Sequence, residues 1–292
     1  DRDLGAKKTT TSYKNNSNKV DRDRLAKPNR NGGISMKPSP KWNELSEELR
    51  SEFEQNGEIA IRSYYKSEKP AEDMFYSKLE VDEAVRAVSA GNLKYEYHCP
   101  RKNDILRRGS YPATTRELYE CLSKYSIQDK TVAIVGSVTP WYEAVCLAHG
   151  GIPTTIEYNR IMTDDERLNM LTVEEYNEEP IQFDAVFSIS SYEHDGLGRY
   201  GDPIDPIADL KSMAQVREQM LKKGGLLYLA VPIGKDALYW NGGRIYGRNR
   251  WFKLTDGFEM IYAPNPLFDK ELDLDRPMAE YYQPAVVLRP KD

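Results

Sequence analysis

The sequence has few of the residues and patterns that identify several common classes of protein. Its 292 residues include only three cysteines, Cys99, Cys121 and Cys146, whose number and spacing form neither a disulfide framework nor a set of metal ligands. The sequence leaves two alternatives for these cysteines, a single Cys99–Cys121 bridge or three buried thiols. The longest apolar run, residues 224–234, is too short to span a bilayer and contains Pro232. No pattern typical of a secretory signal begins the sequence.

Positive charge is scarce outside the N-terminal segment. The net charge is −5, but residues 1–40 contain ten Lys and Arg against four Asp, which leaves −11 for the remainder. A nucleic-acid-binding protein usually has a basic face, so we expect no nucleic-acid partner. Residues 1–40 have little apolar surface to bury, and we interpret them as a flexible tail or stem. Because the chain begins at Asp1 without Met, a membrane anchor upstream of this stem is left open.

Residues 41–129 are predicted to form a mainly helical N-terminal part that packs on a sheet. Apolar residues recur at helical spacing from Lys41 and again over Leu79–Ala90. Residues 114–117 have the spacing of a capping box before a third helix. We expect this part to help close a ligand site.

The rest of the chain, residues 130–292, is predicted to be a doubly wound α/β domain with a mostly parallel sheet. The apolar, β-branched run Val132–Val135 indicates a strand buried on both faces, and Gly136 follows it. Next come a helix with Thr139 as its N-cap and a strand that ends on Glu157. In such strand–turn–helix–strand units an acid at this position commonly binds the ribose hydroxyls of a nucleotide, although an ordinary α/β crossover is the alternative.

The loop after the strand Val132–Val135 lacks the glycine pattern of dinucleotide-binding proteins. Residues 136–139 contain one glycine, which argues against a tight pyrophosphate turn. The acidic segment 158–182 is predicted to be irregular, and it leads to a buried strand over residues 183–191. A loop rich in glycine and aspartate follows, residues 192–206. Ligands in open α/β sheets bind outside the carboxyl ends of strands, so we expect this loop at the site.

The remaining elements complete the alternation of helices and strands. Asp205 is predicted to cap a helix that starts at Pro206 and finishes at residues 222–225. A buried strand is predicted over residues 226–231. Two closing strands are predicted, at residues 257–260 and 284–288.

Several of these segments occur together in a pattern that belongs to known families. The segments are the strand before Gly136, the acid Glu157, residues 183–184 with Glu193 and His194 after them, and residues 221–225 before a strand that ends in Val231 and Pro232. Together they resemble the class I S-adenosylmethionine-dependent methyltransferases. More narrowly, residues 190–203 (SSYEHDGLGRYGDP) and 244–247 (RIYG) are similar to the domain-of-unknown-function 268 family. The resemblance covers roughly residues 130–259.

The resemblance implies a Rossmann-like sheet of the class I methyltransferase type with S-adenosylmethionine as its cofactor. A sulfonium cofactor has no phosphates, so one glycine in the loop can suffice. For Ser188 and Ser190, in the predicted strand over residues 183–191, simple packing is an equally good interpretation. The residues implied to contact the cofactor are Gly136 and Ser137 at the methionine part, Glu157 at the ribose, Tyr158 near the adenine, and Ser188 with Ser190 below the sulfonium.

Methyl transfer to a hydroxyl needs a base, because an alcohol is a poor nucleophile until its proton is removed. His194 is the preferred candidate, since its ordinary pKa lies near neutrality and it follows the strand that ends at the cofactor. Asp195 as the base, or His194 as a simple loop cap, are the alternatives. A divalent cation held by Asp195, Asp202 and Asp205 is a further alternative, but Asp205 fits better as a helix cap, so we expect no metal.

The acceptor side is predicted from a second segment, residues 239–251, which follows the last buried parallel strand. Aromatic faces with Asn and Arg donors suit a sugar, or a sugar joined to phosphate, although such loops are also often packed lids. The residues predicted to contact the acceptor are Tyr192, Arg199, Tyr200, Trp240, Arg244 and Tyr246.

We therefore expect an S-adenosylmethionine-dependent O-methyltransferase that acts on a carbohydrate hydroxyl of a glycan or nucleotide sugar. The stem-like N-terminus favours the Golgi lumen, and the cytoplasm is the alternative. Two other hypotheses remain open. One is a catalytically inert methyltransferase-like binding module, motivated by the single-glycine loop, and the other is a methyltransferase that acts on a small molecule or protein in the cytosol.

Overall fold

The protein is described from a computed structural model that covers most of the chain. The predicted tail, residues 1–40, lies outside the described part except for Ser39 and Pro40. Among the described residues, no helix combines the length and the apolarity needed to cross a membrane. The described residues are 39–65, 74–98, 106–109, 111–264 and 272–291.

Seven α-helices are present in the described ranges, and several begin at a side chain that accepts a hydrogen bond from the first turn. Ser77 caps the second helix in a capping box with Glu80, and Thr172 does the same for the fifth with Glu175. The helices are α1 (Glu47–Glu54), α2 (Lys78–Ser89), α3 (Pro112–Lys124), α4 (Trp141–Ala148), α5 (Val173–Glu178), α6 (Ala208–Gln215) and α7 (Arg248–Leu254).

The strands alternate with these helices along most of the chain. The strands at residues 131–135, 152–157 and 183–189 are largely buried, as expected for a sheet covered on both faces. The strands are β1 (Ala60–Arg62), β2 (Met74–Tyr76), β3 (Tyr95–His98), β4 (Leu106–Gly109), β5 (Thr131–Val135), β6 (Ile152–Glu157), β7 (Ile161–Thr163), β8 (Asn169–Thr172), β9 (Phe183–Ile189), β10 (Leu221–Ala230), β11 (Ala237–Tyr239), β12 (Gly243–Ile245), β13 (Phe258–Tyr262) and β14 (Val286–Pro290).

A seven-stranded sheet in the order β13-β14-β10-β9-β5-β6-β8 organises the fold. Strand β14 runs antiparallel to both of its neighbours, and the other neighbouring pairs are parallel. The predicted doubly wound α/β class with a mostly parallel sheet is confirmed. Three smaller sheets are also present among the described residues. One has the order β1-β11-β12, and the other two pair β2 with β7 and β3 with β4.

Side chains of the central strands alternate between two apolar cores, one on each face of the sheet. In β10, Leu227 and Leu229 belong to one core, whereas Tyr228 and Ala230 belong to the other. Helices α2, α3 and α4 contribute to the second core, and α5, α6 and α7 cover the opposite face. Because successive side chains of a strand point to opposite faces, a strand buried on both sides must be apolar throughout.

The N-terminal part adds structure around the carboxyl edge of the sheet. Phe53 of α1 lies in an apolar cluster with Leu197, Leu238 and Trp240. Strand β1 extends this contact, since it pairs in parallel with β11. Segments distant in sequence are therefore brought together beside the glycine-rich loop.

Two predicted helix starts are wrong by a few residues, because the backbone uses other caps. The helix after Gly136 begins at Trp141, with Pro140 rather than Thr139 in the N-cap position and no side-chain cap bond. The third helix begins at Pro112, whose missing N–H is tolerated in the first turn, and Thr114 instead donates to the Gln283 carbonyl.

The segment after Glu157 is more regular than predicted. It forms β7, β8 and α5, of which β8 is the edge strand of the central sheet. Strand β7 pairs with β2, almost ninety positions away, as in the Met74–Ile161 pair. Short polar strands have no long apolar run, so only their distant partners reveal them.

The boundary between α6 and β10 also differs from the prediction. Helix α6 begins at Ala208, although Asp205 Oδ1 does accept a hydrogen bond from the Ile207 N–H. A π-helical turn, Val216–Met220, follows α6, and β10 then starts at Leu221 with an irregular pairing before Leu226. The glycines at 224 and 225 therefore lie within an irregular strand instead of after a helix.

The two cysteines in the described ranges lie in the core, away from the carboxyl edge of the sheet. Cys121 and Cys146 are free thiols buried in the core shared by α3 and α4. Burial raises the pKa of both thiols, which keeps them protonated and unreactive. Cys99 lies outside the described residues.

Candidate functional site

A cavity of about 910 Å³ lies at the carboxyl ends of β5, β6 and β9. The strand order reverses between β5 and β9, because the chain continues from β5 to β6 on one side and from β9 to β10 on the other. Ligands of open α/β sheets bind at such a reversal. The volume lies within the range of small-molecule sites.

The loop after β5 forms part of the cavity wall, and its geometry requires glycine. Gly136 has φ +76°, a conformation that residues with a side chain rarely adopt. A Cβ atom at this position would lie 2.4 Å from Ser191 Oγ and 2.8 Å from Ser191 Cβ. The glycine therefore allows the loop after β5 to pack directly against the residue that follows β9.

The Glu157 carboxylate lies at the tip of β6 and is fixed by backbone donors. Its Oε2 accepts a hydrogen bond from the Ser137 N–H at 2.9 Å, and its Oε1 accepts one from the Tyr158 N–H at 2.9 Å. Burial raises the pKa of Glu157, although these backbone bonds lower it. A carboxylate offers about four acceptor positions, so it can still accept hydrogen bonds from a ligand hydroxyl in the cavity.

Glu143 supports this loop from beneath and is not among the residues predicted for the site. Its Oε1 accepts hydrogen bonds from Ser137 Oγ at 2.7 Å and from Thr155 Oγ1 at 2.8 Å. Tyr76 Oη lies 2.9 Å from the same Ser137 Oγ. Burial raises the pKa of Glu143 to about 7. The signal in the sequence was available, because Glu143 is the only charged residue of the apolar helix α4.

On the opposite wall, the chain leaves β9 through a residue in a left-handed conformation. Ser190 has φ +56°, which is uncommon for a serine. Its Oγ donates a hydrogen bond to Glu193 Oε1 at 2.6 Å and lies 3.0 Å from Tyr111 Oη. Burial raises the pKa of Glu193 to about 7. Glu193 is likewise not among the predicted site residues, although it precedes the predicted base directly.

Both residues predicted as catalytic lie on the cavity wall. His194 Nε2 is 3.7 Å from Glu193 Oε1, and the imidazole ring packs edge-on against Tyr200 with 5.6 Å between ring centroids. Asp195 Oδ2 accepts a hydrogen bond from Ser212 Oγ at 2.6 Å. Burial raises the pKa of Asp195 to about 7, and the nearby charge of Asp202 acts in the same direction.

Arg244 lines the cavity but is only 3% exposed, and its hydrogen bonds go to the protein. The guanidinium donates to the Asp195 carbonyl at 2.6 Å and lies 3.7 Å from Asp209 Oδ2. This geometry fixes the backbone of the turn that carries His194. Arg199 is more accessible, and its guanidinium lies 5.0 Å from the ring centroid of Tyr200.

Three of the predicted contact residues do not reach the cavity. Ser188 is fully buried within β9. Trp240 belongs to the apolar cluster around α1, and its indole Nε1 donates to the Pro40 carbonyl at 2.9 Å. Tyr246 is fully buried and its hydroxyl donates to Asp209 Oδ2 at 3.0 Å. These aromatic residues are core residues, because segments distant in sequence cover them.

The structure brings the other predicted site residues together around the one cavity. They come from the ends of three strands, from the loop after β9 and from β12, in agreement with the predicted carboxyl-edge site. The predicted residues that line the cavity are Gly136, Ser137, Glu157, Tyr158, Ser190, Tyr192, His194, Asp195, Arg199, Tyr200 and Arg244.

Six tyrosines outside the predicted contact residues line the cavity. Tyr142 and Tyr176 lie in α4 and α5, and the other four come from separate segments, of which only Tyr239 belongs to the predicted acceptor segment. Tyr64 follows β1, Tyr111 precedes α3, Tyr239 ends β11, and Tyr281 precedes β14. Tyr64, Tyr111 and Tyr281 are exposed, so a ligand in the cavity can contact their rings. No sequence pattern links these positions, since only the fold brings the four segments together.

The aspartates considered as cation ligands are used by the protein itself. Asp202 Oδ2 accepts a hydrogen bond from the Gly198 N–H at 2.9 Å, and Asp205 Oδ1 accepts one from the Ile207 N–H at 3.0 Å. Within the described ranges, no group of three or more His, Cys, Asp or Glu residues is arranged to hold a metal ion.

A family model described as a Caenorhabditis protein of unknown function, DUF268, matches residues 129–287, more than half of the chain. No curated protein is significantly similar to the chain.

Solved structures share part of the fold at low sequence identity. The 1,6-didemethyltoxoflavin-N1-methyltransferase of Burkholderia thailandensis, with bound 1,6-didemethyltoxoflavin and S-adenosylhomocysteine, is 17% identical with a TM-score of 0.44, over 62% of this chain and 77% of that chain. The PH0226 protein of Pyrococcus horikoshii OT3 is 12% identical with a TM-score of 0.41, over 60% and 89% of the two chains. The cyclase SpnF is 16% identical with a TM-score of 0.38, over 67% and 77%. These likenesses extend to the fold alone.

Proposed function

The chain belongs to the DUF268 family, and from this membership and the geometry of its cavity we propose that it is an S-adenosylmethionine-dependent methyltransferase. The observation that carries the proposal is that Gly136 and Glu157 lie next to each other at the ends of the adjacent strands β5 and β6. The loop of Gly136 approaches the cavity without a side chain, and the Glu157 carboxylate is held by backbone donors on the cavity wall. This is the arrangement that a nucleoside with free ribose hydroxyls requires.

The residues present fit the proposed cofactor better than they fit a dinucleotide. A Cβ at position 136 would clash with Ser191, so the close packing that shapes this wall of the cavity depends on glycine. Glu157 would accept the ribose hydroxyls, and the exposed ring of Tyr158 would lie beside the adenine. The loop has no second glycine for a pyrophosphate, which a sulfonium cofactor does not need. When bound, the cofactor supplies a methyl group attached to a positively charged sulfur.

The acceptor that we propose is a carbohydrate hydroxyl of a glycan or nucleotide sugar. Support comes from the tyrosines at the cavity, Tyr64, Tyr111, Tyr239 and Tyr281, and from Arg199. A tyrosine offers an apolar ring face together with a hydroxyl group, which suits the C–H faces and hydroxyls of a sugar ring. The guanidinium of Arg199 would add a donor for a hydroxyl or phosphate oxygen.

His194 is the base that we propose for the acceptor hydroxyl, with Asp195 as the alternative. Both line the cavity on the short turn that follows β9. Proton transfer by a positioned side chain typically accelerates a reaction by about 10²–10⁴-fold. His194→Ala is therefore expected to keep cofactor affinity and to lose most of the turnover, whereas unchanged turnover would remove His194 from this role.

Calorimetric titration with S-adenosylhomocysteine tests the cofactor site. The unaltered chain should bind, and Glu157→Gln should weaken binding by about 10–100-fold, because a hydrogen bond to a charged group is worth about 1.5–3 kcal/mol. Glu175→Gln is the matched control, since Glu175 lies in α5 and pairs with Arg160 at the surface. Absence of binding to the unaltered chain would refute the proposal.

A screen with labelled S-adenosylmethionine against glycans and nucleotide sugars tests the acceptor. Label transfer to a sugar hydroxyl is the expected result. Transfer only to small molecules or proteins of the cytosol would refute the carbohydrate assignment, and binding without any transfer would favour the inert binding module.

The compartment that we propose is the Golgi lumen, with residues 1–40 as a stem. The support is compositional, since this segment is basic and poor in apolar residues. Protease protection of the tagged full-length protein in intact microsomes is the expected result, and cleavage without detergent would place the protein in the cytoplasm.

A further inference from the structure

Glu193 is a buried acid beside the proposed base. Its side chain is 2% exposed, yet it lies on the cavity wall. Oε1 accepts the hydrogen bond from Ser190 Oγ at 2.6 Å and lies 3.7 Å from His194 Nε2. Among the described residues, Oε2 has no hydrogen-bond partner. A buried carboxyl oxygen without a partner is costly for folding, so its presence at a cavity indicates a functional role.

The backbone holds Glu193 and His194 in this arrangement. Ser190, with φ +56°, directs its hydroxyl to Glu193. Arg244 donates to the Glu193 carbonyl at 3.4 Å and to the Asp195 carbonyl at 2.6 Å, on either side of His194. A residue kept in a strained conformation and a turn fixed by a buried guanidinium are both typical of a preorganised site.

We propose that Glu193 and His194 form a coupled pair that receives the proton of the acceptor hydroxyl, with Glu193 as the positioning residue that stabilises the protonated imidazole. This inference rests on the proposed methyltransferase function. In the reaction, the acceptor oxygen gives the electron pair of the new bond to the methyl carbon. Sulfur keeps the electrons of the broken carbon–sulfur bond. The hydroxyl proton moves to the Glu193–His194 pair. A carboxylate beside a histidine base acts in this way in hydrolase triads.

The charges around Glu193 allow it to change protonation near neutral pH. Burial raises its pKa, the hydrogen bond from Ser190 lowers it, and the charges of Asp195 and Arg199 act in opposite directions, which together place the pKa at about 7. In the proposed pair, the protonation of Glu193 and the protonation of His194 depend on each other. The other titratable groups that face Glu193 from neighbouring elements are Tyr111, Tyr142, Arg244, Tyr246 and Tyr281.

Proton NMR titration of the histidines tests the pair without cofactor or acceptor. The chain has three histidines, His98, His149 and His194, so His194→Ala assigns the relevant signal. In Glu193→Gln the pKa of His194 should fall by about 1 unit, because an opposite charge within about 4–6 Å favours the protonated imidazole. An unchanged titration of His194 in this variant would refute the pair.

Glu143→Gln is the matched control. Glu143 is also a buried acid with a serine donor, but its partners are Ser137 and Thr155 at the cofactor loop. It should leave the His194 titration unchanged, and an equal shift in both variants would show a general effect of removing a buried acid and would refute the pair.

A second variant covers the case in which Glu193→Gln does not fold. Ser190→Ala removes the donor that stabilises the Glu193 carboxylate, so the His194 pKa should fall in the same direction by a smaller amount. No fall in this variant would also refute the pair. Calorimetry with S-adenosylhomocysteine on the unaltered chain separates the two proposals. Binding with uncoupled titration refutes only the pair, and coupled titration without binding refutes only the methyltransferase.

Discussion

Two residues in left-handed conformations shape the cavity. Gly136 turns the chain after β5, and Ser190 turns it after β9. At Gly136 the absence of a side chain allows contact with Ser191, whereas at Ser190 the side chain is retained and is bonded to Glu193. A left-handed serine costs of order 1–3 kcal/mol, which the surrounding contacts must offset.

At the residue scale, Gly136→Ala should abolish measurable binding of S-adenosylhomocysteine. The new Cβ would lie 2.8 Å from Ser191 Cβ, which moves only with its backbone, so rotation of the Ser191 hydroxyl does not relieve the clash and the loop must shift away from its present position. Calorimetry provides the measurement. Gly224→Ala is the matched control, because Gly224 has nearly the same φ, +77° against +76°, with nothing within 4 Å of the added Cβ. Equal losses of affinity in both variants would contradict a specific role of Gly136.

At the scale of elements, a buried ionic cluster joins β12, α6 and α7 beneath the glycine-rich loop. Asp209 of α6 forms a salt bridge with Arg250 of α7 and lies 3.7 Å from Arg244 of β12. Burial raises the pKa of Asp209, but the two guanidinium groups outweigh it and keep the pKa below its usual value. Arg250 also donates to the Pro206 carbonyl at 2.6 Å. The cluster therefore anchors both the loop and the turn of His194.

Arg244→Met should lower the free energy of unfolding by about 1–3 kcal/mol or more, because it leaves the Asp195 and Glu193 carbonyls buried without this donor. Urea unfolding provides the measurement, and S-adenosylhomocysteine affinity should change little because Arg244 is not at the cofactor loop. Arg248→Met is the control, since its pair with Asp275 is exposed and such pairs contribute about 0–1 kcal/mol. Similar losses in the two variants would contradict the anchoring role.

For the whole molecule, buried acids with raised pKa values make stability depend on pH, and they are Glu157 and three further acids. Burial raises the pKa of Glu143, Glu193 and Asp195 to about 7, whereas in the unfolded chain these groups ionise near pH 4. The folded state therefore binds more protons than the unfolded state between these values. The stabilisation is complete when the pH lies below the pKa that these acids have in the unfolded chain. It is lost as the pH rises through the pKa that they have in the folded protein. Acids with lowered pKa values, Asp184 and Asp209, act in the opposite direction at lower pH.

We expect the melting temperature to be highest in mildly acidic solution and to fall between about pH 5 and pH 7.5. Thermal unfolding followed by circular dichroism over this range provides the measurement. Glu143→Gln should reduce the slope, because it removes one of the buried acids with a raised pKa, and Glu259→Gln should not, because Glu259 is exposed and paired with Arg289. A melting temperature that rises over this interval would show that the buried acids are ionised in the folded state.

Much of the sheet could be predicted because its central strands are buried on both faces. The run Val132–Val135 and the acid Glu157 lie where the prediction puts them, since apolar continuity and the turn after it are local properties. Strands β7 and β8 were not predicted, because their regularity depends on pairing with β2 and β6. Helix α5 was not predicted although Thr172 and Glu175 give the local spacing of a capping box. Likewise Trp240 and Tyr246 read as ligand residues until distant segments are seen to cover them.

The sequence by itself determined the fold class, the family and the edge of the sheet at which the cavity lies. These follow from patterns of adjacent residues, and burial of a parallel sheet imposes such patterns directly. Only the tertiary structure decided which side chains share the cavity. The tyrosines of four separate segments meet at the cavity through contacts between residues far apart in the chain. Glu193 beside His194 and Glu143 beneath Ser137 are close in sequence, and their environment depends on burial. Burial and neighbouring charges also set the pKa values of these acids, and both exist only once the chain has folded.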